Sequence, residues 1–268
     1  MGPNDKALAE SEPARAWYRR IVGIGFPLIN EMLEGLPVIW GGAHHCSWQE
    51  VLEEPGDNML SARMAHLQEP VDLAMADRLA AEGYVAAAPD LYHRITDNMV
   101  ADGSKKFHHL NDSDMVDDIN ATVGFLQSCP FVNGLGIGIT GFSLGGRVAW
   151  LAACTNSHIK AAVSYYGGNI MVPMGKTAQP PSELTVGIKC QILFHFGEID
   201  KNPSQADMRN LDNELTRFGI AHQFYIYPEA DHAFMDYTGS RYHKDASDIS
   251  WLRTLEFFAQ QVKGAPVG

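Results

Sequence analysis

A mostly parallel β-sheet with helices on both faces is predicted for this chain, and three observations predict it. Strand and helix patterns alternate from about residue 72 to the end. The strand segments are short, near-continuous apolar runs rather than alternating ones, as expected where both faces of a sheet are covered. The chain of 268 residues, 46% of them hydrophobic, is long enough to bury one large core as a single domain over 1–268.

The elements follow in order. Residues 36–40 (LPVIW) read as a strand followed by Gly41-Gly42. Residues 72–82 place Leu73, Ala76, Leu79 and Ala80 on one helical face, and Gly83 stops that helix. Strands are expected at 84–88, 136–140, 161–166, 191–196 and 223–227, and further helices at 114–126, 147–155, 205–218 and 248–262. Asp114, Asp117 and Asp118 lie near the positive end of the first of these helices. The N-terminal region is atypical: residues 1–35 read as a helical segment, and 44–69 as a cap over a pocket or a surface insertion.

Charge and composition exclude several classes. Against 20 bases stand 32 acids, a formal net charge of −12. That field repels a phosphate backbone and an anionic membrane surface, so neither nucleic acid nor membrane is an expected partner. Residues 1–20 lack the apolar run of a signal peptide, and no apolar stretch is long enough to span a bilayer. A cytoplasmic location follows as the expectation. Cys46, Cys129, Cys154 and Cys190 are widely spaced and are expected as reduced thiols. A homodimer is left open.

The chemistry centres on Gly141-Phe142-Ser143-Leu144-Gly145-Gly146, a G-x-S-x-G turn between an apolar strand and an apolar helix. There the Ser143 hydroxyl is lifted above the C-terminal edge of the sheet, and the Leu144 N–H stands at the helix start, where an oxyanion is stabilised. An ordinary capping serine is the alternative. An overlapping G-x-G-x-x-G at 136–141 is rejected as a dinucleotide site. Its glycines lie inside the strand, and no acid occurs between Asp118 and Glu183 to hold a ribose.

A serine needs a base and the base an orienting acid. Asp200, with Glu198 as runner-up, follows the strand at 191–196, and His232 follows the strand at 223–227. Each of the three groups thus falls after a strand in the order Ser, Asp, His. The pairs His44-His45 and His108-His109 make no metal site alone and the mid-strand His195 reads as a packed core residue, so no metal is expected.

The runs ADRLAAEGYVAAAPDLYHR, GFSLGGRVAW, YYGGNI, FHFGEIDKNP, YPEADHAF and WLRTLEFF resemble the dienelactone hydrolase family of the α/β-hydrolase superfamily. The resemblance spans about residues 72–262 and implies an α/β-hydrolase fold and cofactor-free hydrolysis of a small ester or lactone. It also implies that Ser143 stands at the nucleophile position with Asp200 and His232 as partners. Arg94 stands where the type enzymes hold a substrate carboxylate; a structural ion pair is the other reading of that residue. The type enzymes carry cysteine where this chain has Ser143. Met235 stands where a second carboxylate-binding arginine is expected, which counts against a dienelactone as substrate. The second oxyanion donor is expected as a backbone N–H within 41–45. The family's N-terminal hairpin is not evident, and its acid after the third strand is not placed, Glu31 and the His44-His45 segment competing for it. Carbon–carbon bond hydrolysis or a non-hydrolytic rearrangement by the same triad is the alternative activity, and a non-catalytic binding protein the alternative class.

Overall fold

Strands β4 and β7 of the central sheet turn their side chains alternately into two buried layers, and that alternation fixes where the helices lie. In β4 (Tyr84–Ala87), Val85 and Ala87 join one core while Tyr84 and Ala86 join the other. In β7 (Gln191–Gly197), Ile192 and Phe194 face the first and Leu193 the second. The computed structural model describes residues 36–41, 47–49, 63–65, 75, 78–89, 91–95, 103–129, 132 and 136–263.

The sheet has six parallel strands in the order β4-β1-β5-β6-β7-β8, with β1 at Leu36–Gly41, β5 at Ile137–Phe142, β6 at Ile159–Tyr165 and β8 at His222–Tyr227. On the first face pack α1 (Asp112–Ser128), α2 (Leu144–Thr155) and α3 (Gln205–Arg217), through Met115, Ile119, Val148, Leu151, Met208 and Leu211. On the second face lies α4 (Lys244–Gln261), through Trp251, Phe257 and Phe258, together with Met75 and Leu79. Residues 78–81 are helical, within the helix expected at 72–82.

The expected α/β class and all six main strands are found. Helix starts differ, for local reasons. Helix α1 begins at Asp112 because Asn111 caps it, accepting from the Ser113 N–H at 3.3 Å. Helix α2 begins at Leu144, taking in Gly145 and Gly146, which periodicity alone leaves out. A Cβ on Gly146 would lie 2.7 Å from the Gly167 backbone and from Ser164 Oγ, so only glycine lets this helix approach the end of β6. Helix α4 begins at Lys244, with the His243 ring accepting from the Ala246 N–H at 3.3 Å.

Within the expected cap or insertion, β2 (Ser47–Gln49) and β3 (Arg63–Ala65) form a two-stranded antiparallel pair. Residues 1–35, His44-His45, Cys46 and Glu31 lie outside the described residues. Among the described residues, Cys129, Cys154 and Cys190 are free thiols, and no helix is long and apolar enough to cross a membrane.

Candidate active site

The sheet order already brings the three expected groups to one edge. Strands β5, β7 and β8 all run the same way, so the residues following them gather at their C-terminal ends. Strands stand about 4.8 Å apart, which leaves the ends of β5 and β8 three spacings from each other. The loop after β8 must therefore cross back over β7. It does so at Gly197, where a Cβ would lie 2.3 Å from the Ala230 carbonyl oxygen. The Ile199 N–H donates to that same carbonyl at 3.1 Å. Glu229 and Ala233 take positive φ angles of 58° and 64° around the crossing. Phe234 is fully buried against Tyr165, Tyr166 and Tyr227 and pins the far side of the loop.

Ser143 sits at the turn from β5 into α2 with φ 54° and ψ −111°. For a residue with a side chain this backbone costs about 1–3 kcal/mol, which its surroundings must offset. The Ser143 N–H donates to the Tyr165 carbonyl at 3.0 Å, and its own carbonyl accepts from the Arg147 N–H at 3.2 Å. Its Oγ then lies 2.9 Å from His232 Nε2, and His232 Nδ1 lies 2.9 Å from Asp200 Oδ2. The structure thus brings Ser143, His232 and Asp200 into one hydrogen-bonded row. The Asp200 side chain is 1% exposed and that of His232 19%, so the carboxylate is sealed while the imidazole stays partly open. Glu198 is turned elsewhere, accepting from the Glu229 N–H at 3.2 Å.

The Leu144 N–H belongs to the first turn of α2, whose N–H groups have no acceptor within the helix. Gly41 ends β1 directly beside Gly141, two residues before Ser143; residues 42–45 lie outside the described residues. Arg94 donates from Nη1 to Asp118 Oδ2 at 2.6 Å, and His93 Nε2 lies 3.0 Å from Asp118 Oδ1. That hydrogen bond raises the arginine's affinity for its proton. Met235 is buried, and Ser250 Oγ lies 3.3 Å from its sulfur, so the position expected for a second arginine faces the α4 core.

Sequence reasoning missed the groups that hold these loops. Arg147, fully buried in α2, forks onto Asp112 at 2.8 and 2.6 Å. It also donates to the carbonyls of Asn169 and, at 2.9 Å, Val172. Asp112 accepts further from the Met174 N–H at 3.1 Å. Asn169 and Asn202 bond to each other across two loops. Only the positive-φ preference of an Asn after Gly-Gly hints at any of this in the sequence. The mid-strand His195 is a core residue, 0% exposed, between Tyr227 OH at 2.8 Å and Thr254 Oγ1 at 3.1 Å. Burial, with Arg253 nearby, pushes its pKa well below the usual histidine value.

A parallel sheet covered on both faces, with a serine on a strained strand-to-helix turn and a histidine and aspartate after later strands, defines an α/β-hydrolase. The sequence profile of the dienelactone hydrolase family matches residues 69–262. This chain belongs to the dienelactone hydrolase family, and it is a hydrolase of the lactone- and ester-cleaving kind. It is similar to a protein of Synechocystis provisionally named carboxymethylenebutenolidase, at 29% identity over 70% of this chain and 80% of that protein. It is also similar to the carboxymethylenebutenolidase of Pseudomonas putida, at 28% identity over 68% of this chain and 76% of that one. A crystal structure from Klebsiella pneumoniae, provisionally described as a dienelactone hydrolase, superposes with a TM-score of 0.69. That match has 27% identity and covers 87% of this chain and 90% of the other.

Proposed function

We propose that the protein cleaves a small ester or lactone by two-step acyl transfer through Ser143, His232 and Asp200. The observation that carries this reading is the unbroken row from Ser143 Oγ through the imidazole to Asp200, with 2.9 Å at each link. His232 takes the Ser143 proton as the oxygen attacks the carbonyl, and Asp200 fixes the imidazole with Nδ1–H directed at itself. The Leu144 N–H donates to the developing oxyanion, a contribution of about 3 kcal/mol for such a donor. The second donor is a backbone N–H within 41–45, a reading supported by the register of Gly41 beside Gly141. The proton then passes to the leaving alcohol, and water, activated by His232, releases the acid and restores the serine.

Arg94, its Nη1 held by Asp118, contacts anionic substrates through its other guanidinium donors. The ligand is thus a small-molecule ester or lactone, in a cytoplasmic setting and without nucleic acid or membrane. The test replaces Ser143. S143A is expected to lose ester turnover and labelling by a fluorophosphonate; full residual activity would sink the triad. In the same assay R94A is expected to raise KM for acidic esters only, and equal KM values for acidic and neutral esters would leave Arg94 a structural ion pair.

A further inference from the structure

An acid that orients a histidine must itself be held in one plane. Asp200 uses Oδ2 for His232 and receives the Asn202 N–H on Oδ1 at 2.8 Å. A carboxylate held at one oxygen alone can rotate about its Cβ–Cγ bond, so the second donor sets the direction of the first. What fixes the Asn202 backbone is its own side chain. The Asn169 N–H donates to Asn202 Oδ1 at 2.8 Å, and Asn202 Nδ2 donates to Asn169 Oδ1 at 3.1 Å. A backbone N–H can only donate, so the orientation of the Asn202 amide is settled.

Asn169 is held just as firmly. It takes φ 56°, a conformation that asparagine tolerates better than most residues. Its carbonyl accepts from Arg147 Nη1, and Arg147 lies in α2 four residues after Ser143. A closed circuit results: Ser143, α2, Arg147, Asn169, Asn202, Asp200, His232, and back to the Ser143 hydroxyl. The loop after β6, which carries no group of the triad, is thereby tied to both the serine's helix and the acid's loop. There is little slack, since a Cβ on Gly168 would meet Asn202 Nδ2 at 3.0 Å and its carbonyl oxygen at 3.2 Å.

We infer that Asn169 and Asn202 are positioning residues that set the Asp200 carboxylate against His232, an inference that rests on the acyl-transfer reading of this site. The bland alternative is a loop-to-loop staple that contributes only to stability. The two differ in what they move. A staple shifts the melting temperature and leaves kcat alone, whereas a positioning pair lowers kcat at unchanged KM, because misplacement by about 1 Å can cost up to about 100-fold in rate.

The experiment compares wild type, N202A, N169G, N169D and S143A on a neutral aryl ester, with melting temperatures and rates of fluorophosphonate inactivation. Asn202 is exposed, so its variants are expected to fold. N202A and N169G are expected to lower kcat about tenfold with KM within about twofold, and to slow fluorophosphonate inactivation to match. N169G keeps the left-handed backbone and removes only the acceptor. N169D keeps both and is expected to stay within about twofold of wild type. Wild-type kcat in both N202A and N169G, or a rise in KM alone, overturns the inference. If N202A fails to fold, N169G decides. An inactive S143A with fully active N202A and N169G rejects the positioning role and leaves the triad standing, whereas an active S143A overturns both.

Discussion

On the face of the sheet covered by α1, α2 and α3 a full ion pair is buried; on the face covered by α4 the buried polar side chains among the described residues are neutral. Arg147 and Asp112 are 0% and 5% exposed at their side chains and share two short bonds. Opposite them, Tyr165 OH meets Thr254 Oγ1 at 2.6 Å and the Ser250 carbonyl at 3.1 Å. Thr254 passes the chain to His195, and His195 to Tyr227. Both arrangements satisfy their members, but they do different work. The ion pair reaches out of its helix to the Asn169 and Val172 carbonyls and so shapes a loop beside the candidate site. The neutral chain runs between strands and α4 and ends at Tyr227 OH, which accepts from Arg253 at 3.2 Å. Charge is spent where backbone far from regular structure has to be held, and neutral groups suffice between regular elements.

The comparison can be broken most forcefully at the ion pair. R147M leaves the Asp112 carboxylate buried without its partner and is expected to cost about 3–5 kcal/mol, read by urea denaturation. A loss below about 1 kcal/mol would show that the pair is no keystone. On the neutral face the sensitive variable is pH. His195 has its pKa depressed in the folded protein by burial, so below about 6.5 the unfolded chain takes up a proton that the folded one refuses. Stability is therefore complete above that pH and falls as acid is added, by up to about 1.4 kcal/mol per pH unit from this residue. H195Q is expected to flatten the slope between pH 7 and 5, and an unchanged slope would assign the acid sensitivity elsewhere. The smallest effect is expected at Tyr165, where Y165F removes one hydroxyl at a cost of about 1 kcal/mol. A cost matching that of R147M would abolish the distinction between the faces.

The legible and illegible parts of this molecule divide along similar lines. Apolar runs such as ILFHF and YVAA could be read as strands because both faces of each are buried, and the order Ser143, Asp200, His232 could be read because each follows a strand. Helix starts were harder to see. Gly145 and Gly146 look like loop residues until the approach to Gly167 supplies the reason for them. The acid-free stretch from Asp118 to Glu183 reads as an apolar setting for Ser143, yet it contains Arg147, whose partner Asp112 lies outside it. The Asn169–Asn202 pair joins positions 33 residues apart, and no local pattern encodes it. Arg94 was visible as a cation, but its tie to Asp118 on α1 was not.

The crossing at Gly197 has a consequence for how such a protein can be altered. Because the segment 228–234 lies directly on the end of β7, Asp200 and His232 belong to one mechanical part. Lengthening that segment is expected to lift His232 off Asp200. The turns at 236–242, by contrast, carry the exposed Tyr237 and Tyr242 and rejoin the core where the His243 N–H meets the Phe234 carbonyl at 3.0 Å. Insertions there are expected to leave the Asp200–His232 contact in place, so reshaping of this edge belongs after Phe234, not before it.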